Sequence, residues 1–374
     1  MLVVYVVLLA CIVFAHILIY WLIKAGVEDS KKPAPLSARQ RRRLTEAWPR
    51  MFQDTMLRKT GPPVTVHDLG GTGQALLFAP ANGFHGLCYK SVADRLVHHF
   101  HCWGIDFEGQ GDSPQDADTA ANIIDSFVDC IFAVVAQLDC RGCYVLGHSA
   151  GGLAAVLAEQ RNPGTFKAMY LYEPVCFSQG RDIPGMHVPE WVDLEGIRVA
   201  HRTRTSEDLA VRALRRRRVF ASRQAVMDSY GSRPPFKSFY HKALASYIDH
   251  GFTELPDGRL QLKCSPECEA RVFRDTYKIS IEAFRGLNRL ACPVAIAAGT
   301  EEVTAAIEAE APLIAAQLPR GRFEKYNGVG HLGPFESPEK VARRLLLNFM
   351  CVEPPYTWET LPKMQQVADL RSRL

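Results

Sequence analysis

The chain has 374 residues, of which 47% are hydrophobic and 22% charged, an ordinary globular balance with ample material for a core in one large or two small domains. A net charge of +4 is too small to point to a nucleic-acid partner. Eleven cysteines, odd in number and several within apolar runs, exclude a tidy disulfide framework and favour reduced thiols.

Leu2 through Ile23 is almost uninterrupted Leu, Val, Ile, Ala, Phe, Tyr and Trp, with His16 the one strongly polar side chain. As a helix it is long enough to cross a hydrocarbon core of about 30 Å, and Tyr20 and Trp21 suit the interface. A cleaved signal peptide is the poorer reading, because no basic leader and no small-residue cleavage site are present. Lys24, Lys31, Lys32, Arg39 and Arg41–Arg43 follow the segment, which by the positive-inside rule places the remainder of the chain in the cytosol. Residues 1–24 are therefore expected to form a transmembrane helix, and the chain to be a single-pass membrane protein. Residues 25–62 read as a juxtamembrane stretch, with a polar linker at 26–35 and helical spacing over 36–57 broken at Pro49. Two readings stand for that helix: an amphipathic segment drawn to lipid by Arg41–Arg43, or a solvated helix packed on the domain.

From Val64 onward strands alternate with helices, the pattern of a mostly parallel sheet covered on both faces. Ala75–Ala79 is a strand running into the loop Pro80-Ala81-Asn82-Gly83-Phe84, and Cys102–Asp106 is a second strand followed by glycines 109 and 111. Cys143–Leu146 reads as a buried strand and Leu153–Ala158 as a helix, joined by Gly147-His148-Ser149-Ala150-Gly151. So sharp a turn strains its central residue, and the flanking glycines relieve the crowding. Ser149 would project beside a helix N-terminus, where negative charge is stabilised. Met169–Tyr172 and Val294–Ala298 are further strands, and between them the strand pattern stops. This inserted region is mostly helical in pattern, and Val211–Met227 is its most obvious helix. Arg212 and Arg215–Arg218 make a dense positive patch there. It can be read as a dock for anionic headgroups, a grip on an anionic substrate group, or a solvated face. Cys264 and Cys268 lack a second ligand pair, so no metal site is expected. Further on, Gly330-His331 follows another short apolar run, and residues 352–374 read as a surface tail.

In this order, the glycine loop at 82–84, the Gly-x-Ser-x-Gly elbow and Gly330-His331 resemble the α/β-hydrolase superfamily, in the branch with a helical cap. Serine esterases, lipases and the haloalkane dehalogenase-like folds belong there. The resemblance runs from about Pro63 to Cys351. It implies an α/β-hydrolase core at 63–176 and 286–351, with the helical cap at 177–285 lying over the strand C-termini, where open sheets bind ligands. It also implies that Ser149 is the nucleophile and His331 its base. The acid that orients the base is open between two residues. Relatives carry aspartate in a Gly-x-x-Asp turn after the Val294–Ala298 strand, and Glu302 of Gly299-Thr300-Glu301-Glu302 matches that position. Some cap-bearing relatives keep the acid one strand earlier, where this chain has Glu173 in Tyr172-Glu173-Pro174. Glu173 follows an apolar strand, so burying it without a partner would be costly.

The oxyanion donors implied are the Ala150 N–H and, from the loop, the Phe84 N–H, with Gly83 as the alternative. His148 reads as a packing residue. A serine rather than an aspartate nucleophile argues against dehalogenase or epoxide-hydrolase chemistry. The expected activity is hydrolysis of a small, hydrophobic, possible lipid ester through an acyl-enzyme on Ser149, with no cofactor and no metal. An acyltransferase, a C–C bond hydrolase and a non-catalytic membrane-tethered binding protein are the alternatives.

Overall fold

The structure is a computed structural model that describes residues 64–115, 122–203, 206–301 and 305–350, together with Ser37, Ala38 and Gln40. The apolar stretch 2–23, the juxtamembrane segment, Glu302 and the tail lie outside the described residues. Among the described residues, no helix is long and apolar enough to cross a membrane.

Five strands come first: β1 (Thr65–Gly70), β2 (Gln74–Ala79), β3 (Phe100–Asp106), β4 (Cys143–His148) and β5 (Phe166–Tyr172). An insertion follows, and then β9 (Val294–Gly299) and β10 (Gly321–Tyr326) complete a seven-stranded sheet of order β1-β3-β2-β4-β5-β9-β10. Only β1 runs antiparallel, against β3; every other pairing is parallel. Burial on both faces explains the strand sequences. Leu77, Val145, Leu171 and Ile296 point into one half of the core, and their chain neighbours Leu76, Leu146, Tyr170 and Ala295 into the other.

Helices α1 (Lys90–Ala93), α2 (Ile123–Gln137) and α3 (Ala150–Arg161) are the crossovers of the first half. Phe127 of α2 stacks on Phe107 at 4.3 Å between ring centroids. On the opposite face Phe349 lies against Tyr144 at 4.6 Å.

The insertion between β5 and β9 contains α4 (Leu194–Thr203), α5 (Ser206–Leu214), α6 (Arg223–Gly231), α7 (His241–His250) and α8 (Pro266–Arg285). It also holds a three-stranded antiparallel sheet that the sequence pattern did not disclose: β6 (Val219–Phe220), β7 (Phe252–Glu254) and β8 (Leu260–Leu262), in the order β6-β8-β7. The single helix expected over 211–227 is thus two helices with a strand between them. Phe220 pairs with Leu260 and packs on Phe252 at 5.7 Å, and that non-local burial overrides helical spacing. Ser222 then caps α6, its hydroxyl accepting from Ala225 N–H at 3.2 Å. The chain finishes with α9 (Ala305–Gln317), α10 (Gly333–Glu336) and α11 (Pro338–Met350). Because β2, β4, β5, β9 and β10 are parallel, their C-terminal ends and the loops that leave them share one edge of the sheet.

Candidate active site

At the end of β4 the backbone turns directly into α3, and Ser149 occupies the turn with φ 54° and ψ −119°. A non-glycine residue there costs about 1–3 kcal/mol and persists only when its surroundings over-determine it. They do. Ser149 N–H donates to Tyr172 O at 3.1 Å, and Ser149 O accepts from Leu153 and Val175 N–H at 3.2 Å each. The glycines beside it are spatial requirements: a Cβ on Gly147 would lie 2.8 Å from Gly152 Cα, and one on Gly151 would lie 2.2 Å from Ala79 O. The hydroxyl is thereby held at the N-terminal end of α3.

His331 leaves the loop after β10 and meets that hydroxyl, with Nε2 3.1 Å from Ser149 Oγ. On its other side, Nδ1 is 2.6 Å from Glu173 Oε2. A buried carboxylate only accepts, so the proton resides on Nδ1 and Nε2 is left to accept from the serine. Glu173 is itself strained, at φ 45°, and its side chain is 3% exposed. Its second oxygen accepts Gly299 N–H at 2.7 Å, and its own N–H donates to Ala297 O at 2.8 Å. The carboxylate is therefore aimed by two neighbouring strand ends. Of the two acids read from the sequence, the structure brings Glu173 to the imidazole. Glu302 lies outside the described residues, but the turn that precedes it still takes part, because Gly299 supplies the N–H to Glu173.

His148 does more than pack. Its Nδ1 lies 2.8 Å from Tyr89 OH, which accepts Ala81 N–H at 3.1 Å, and its Nε2 donates to His331 O at 2.8 Å. One imidazole thus ties together the glycine loop, the elbow and the histidine loop. Complete burial, then the adjacent His331, pushes its pKa well below the usual histidine range, so it stays a neutral bridge. The surrounding rings carry the signal that sequence reading missed: Phe335 stands 5.6 Å from His148 and 4.7 Å from Phe84.

Ala150 opens α3 and borders the same cavity as Ser149, as do Gly83 and Phe84. The Phe84 N–H, however, donates to Ala81 O at 3.1 Å and closes its own turn. The expected Phe84 donor is thus committed to that turn, and it serves an oxyanion only by sharing or leaving that bond. Gly83, at φ +78°, is the other loop residue at that wall.

The cavity holds about 840 Å³ and is lined mainly by apolar side chains, with Ser149 and His331 at its floor. Apart from Asn82 of the glycine loop, its remaining polar side chains come mainly from the insertion. Arg216 pairs with Glu269 and donates to Tyr230 OH at 2.9 Å and Tyr247 OH at 2.7 Å. Asn82 Nδ2 donates to Glu269 O at 2.9 Å, which couples the insertion to the glycine loop. His201, from α4, lines the same cavity with Nε2 3.1 Å from the buried Glu310.

As to metals, His67, Asp106 and Asp112 are the one cluster of three such ligands among the described residues. None of them lines the cavity. Asp106 already accepts from Gly86 and Asp112 N–H at 2.7 Å each and pairs with His67 at 2.9 Å, while Lys263 pairs with Asp112. These contacts make a structural knot at the end of β3.

A mostly parallel sheet carrying a strained serine elbow after β4, a buried carboxylate after β5 and a histidine after β10 defines a hydrolase of the α/β type. The family model described as "Alpha/beta hydrolase family" matches residues 76–344, and the chain belongs to that family. Among curated proteins it is similar to N-formylmaleamate deformylase of Pseudomonas putida, 29% identical over 124 residues. That match spans 33% of this chain and 46% of the deformylase, less than half of its length. Among solved structures, E-2-(acetamidomethylene)succinate hydrolase superposes with a TM-score of 0.57 at 18% identity, over 77% of this chain and 94% of that one. A thermophilic esterase from Thermogutta terrifontis gives 0.54 at 18% identity, over 80% and 99%. At those identities the two structures share the fold.

Proposed function

We propose that the protein is a serine hydrolase that cleaves a carboxylic ester through an acyl-enzyme on Ser149. The observation that carries this reading is the continuous chain Ser149 Oγ to His331 Nε2 at 3.1 Å and His331 Nδ1 to Glu173 at 2.6 Å. In this mechanism the hydroxyl oxygen attacks the ester carbonyl while its proton passes to Nε2. Glu173 stabilises the imidazolium and fixes the tautomer. The Ala150 N–H, with one N–H of the Gly83–Phe84 turn, stabilises the tetrahedral oxyanion. The imidazolium then returns its proton to the leaving alkoxide, the alcohol departs, and water activated by His331 releases the acid by the reverse sequence. No step needs a metal or cofactor.

The apolar stretch 2–23 would tether this hydrolase to a membrane with its catalytic domain on the cytosolic side. An apolar cavity beside a bilayer would suit a hydrophobic, lipid-like ester. The test is rapid mixing with a p-nitrophenyl ester. A burst of about one nitrophenolate per protein, absent in Ser149→Ala, supports the acyl-enzyme. Steady release without a burst in any ester, and undiminished in the variant, refutes it. The similarity to a deformylase favours a second reading, in which the same relay opens an amide; amides hydrolysed faster than matched esters would select it.

A further inference from the structure

The insertion side of the cavity carries more positive charge than the relay uses. Arg212, on α5, lines the cavity, is exposed, and has no side-chain hydrogen bond or ion pair among the described residues. Arg216, just beyond the end of α5, lines the same cavity with its side chain 18% exposed. Its five N–H groups are only partly used. Tyr230 and Tyr247 take the two on Nη2 and Glu269 takes one on Nη1, which leaves Nε and the second Nη1 hydrogen without a partner among the described residues. The guanidinium also lies close to the chemistry: a Cβ on Gly83 would stand 3.4 Å from Arg216 Nη1 and 3.3 Å from Glu269 Cδ. Two arginines facing one carboxylate leave a single positive charge in a largely apolar chamber. Arg212 is exposed, so solvent meets that charge at little cost, but a carboxylate entering the chamber finds a guanidinium fork that matches it in a paired, planar geometry. A monoanion balances that charge, whereas a phosphate dianion would overshoot it.

From this geometry we infer that the substrate carries a free carboxylate in addition to the group that is cleaved. Arg212 and the open N–H groups of Arg216 receive it, while the apolar walls take the rest of the molecule. The inference rests on the serine-hydrolase reading for the position of the scissile bond. The arginine cluster seen in the sequence therefore divides by depth: Arg212 and Arg216 turn to the cavity, while Arg217 lies over the Phe220 ring and Arg218 pairs with Glu267.

The experiment measures binding rather than turnover, on the full chain carrying Ser149→Ala in neutral detergent. The ligands are p-nitrophenyl hydrogen glutarate and its methyl ester, which differ by one charge at nearly constant shape. Titration calorimetry is expected to show the acid ester binding about tenfold or more tighter than the methyl ester, with the advantage shrinking as salt is raised. Adding Arg212→Gln should cut the advantage to about threefold or less, and Arg212→Lys should restore part of it. Equal binding of the two ligands, tighter binding of the methyl ester, or an advantage untouched by Arg212→Gln would each overturn the inference. A failed hydrolase reading looks different: the acid ester binds selectively, yet the protein with Ser149 intact releases no nitrophenolate from it.

Discussion

The sheet edge and the insertion both line one cavity, by different means. At the sheet edge, Ser149 and Glu173 are fixed by backbone hydrogen bonds from neighbouring strands and both hold positive φ angles, while His331 is held through His148 and Glu173. On the insertion side, Arg216 and Glu269 are held by side-chain contacts among short helices and a small sheet, and Arg212 is left open. Positions set by backbone are suited to chemistry that tolerates little displacement; positions set by side chains are suited to recognition. Changes at the sheet edge should accordingly act on kcat, and changes in the insertion on KM.

The largest effect should come from Ser149→Ala, which is expected to lower kcat by about a millionfold with binding retained, measured by steady-state ester hydrolysis. Glu173→Gln should cost about ten-thousandfold in kcat, because the wrong tautomer of His331 would then face the serine. Glu302→Gln is expected to leave kcat within about threefold, and the reverse order of these two acids would move the relay to the neighbouring turn. His148→Phe keeps the ring stacking but severs the bridge between the glycine loop and the histidine loop. A loss of about ten- to a hundredfold in kcat, with circular dichroism unchanged, is the expected result. Arg212→Gln should raise KM for an acid ester by about threefold or more and leave kcat nearly constant; a fall in kcat alone would erase the division between the two sides.

The smallest effect concerns stability. Burial pushes His85 down to about 3 from 6.5; Asp106 opposes this, while His250, His67 and Lys263 add to it. Since the folded pKa is the lower one, the stability contribution is complete above pH 6.5 and is lost as pH falls towards 3. Urea unfolding across that range should show stability falling as the pH falls, and falling less in His85→Phe than in the parent protein.

What the sequence disclosed follows from how local each signal is. Five of the seven strands of the sheet were legible because burial on both faces writes them as largely apolar runs, as in Cys143–Leu146, whereas the edge strands β1 and β10 mix polar residues. The elbow was legible because its strain demands glycine at 147 and 151, where the backbone of Gly152 and Ala79 leaves no room for a side chain. The choice of acid was not, since Glu173 is selected by a Gly299 N–H that arrives from another strand, 126 residues on. The strands of the insertion stayed hidden because β6 is only two residues long and is stabilised by pairing with β8. His148 looked like filler because its partners, Tyr89 and the carbonyl of His331, are distant in the chain. In the arginine cluster composition was visible and direction was not; only the fold separates Arg216, inside the cavity, from Arg217 beside it.

The central claim is that one hydroxyl, activated across three strand ends, becomes covalently acylated. Treating the full chain with a fluorophosphonate and mapping the adduct by peptide mass spectrometry tests it most directly. The account predicts a single adduct on Ser149, lost in His331→Ala and strongly slowed in Glu173→Gln. Modification at another residue, or labelling of Ser149 at an unchanged rate without His331, would contradict it.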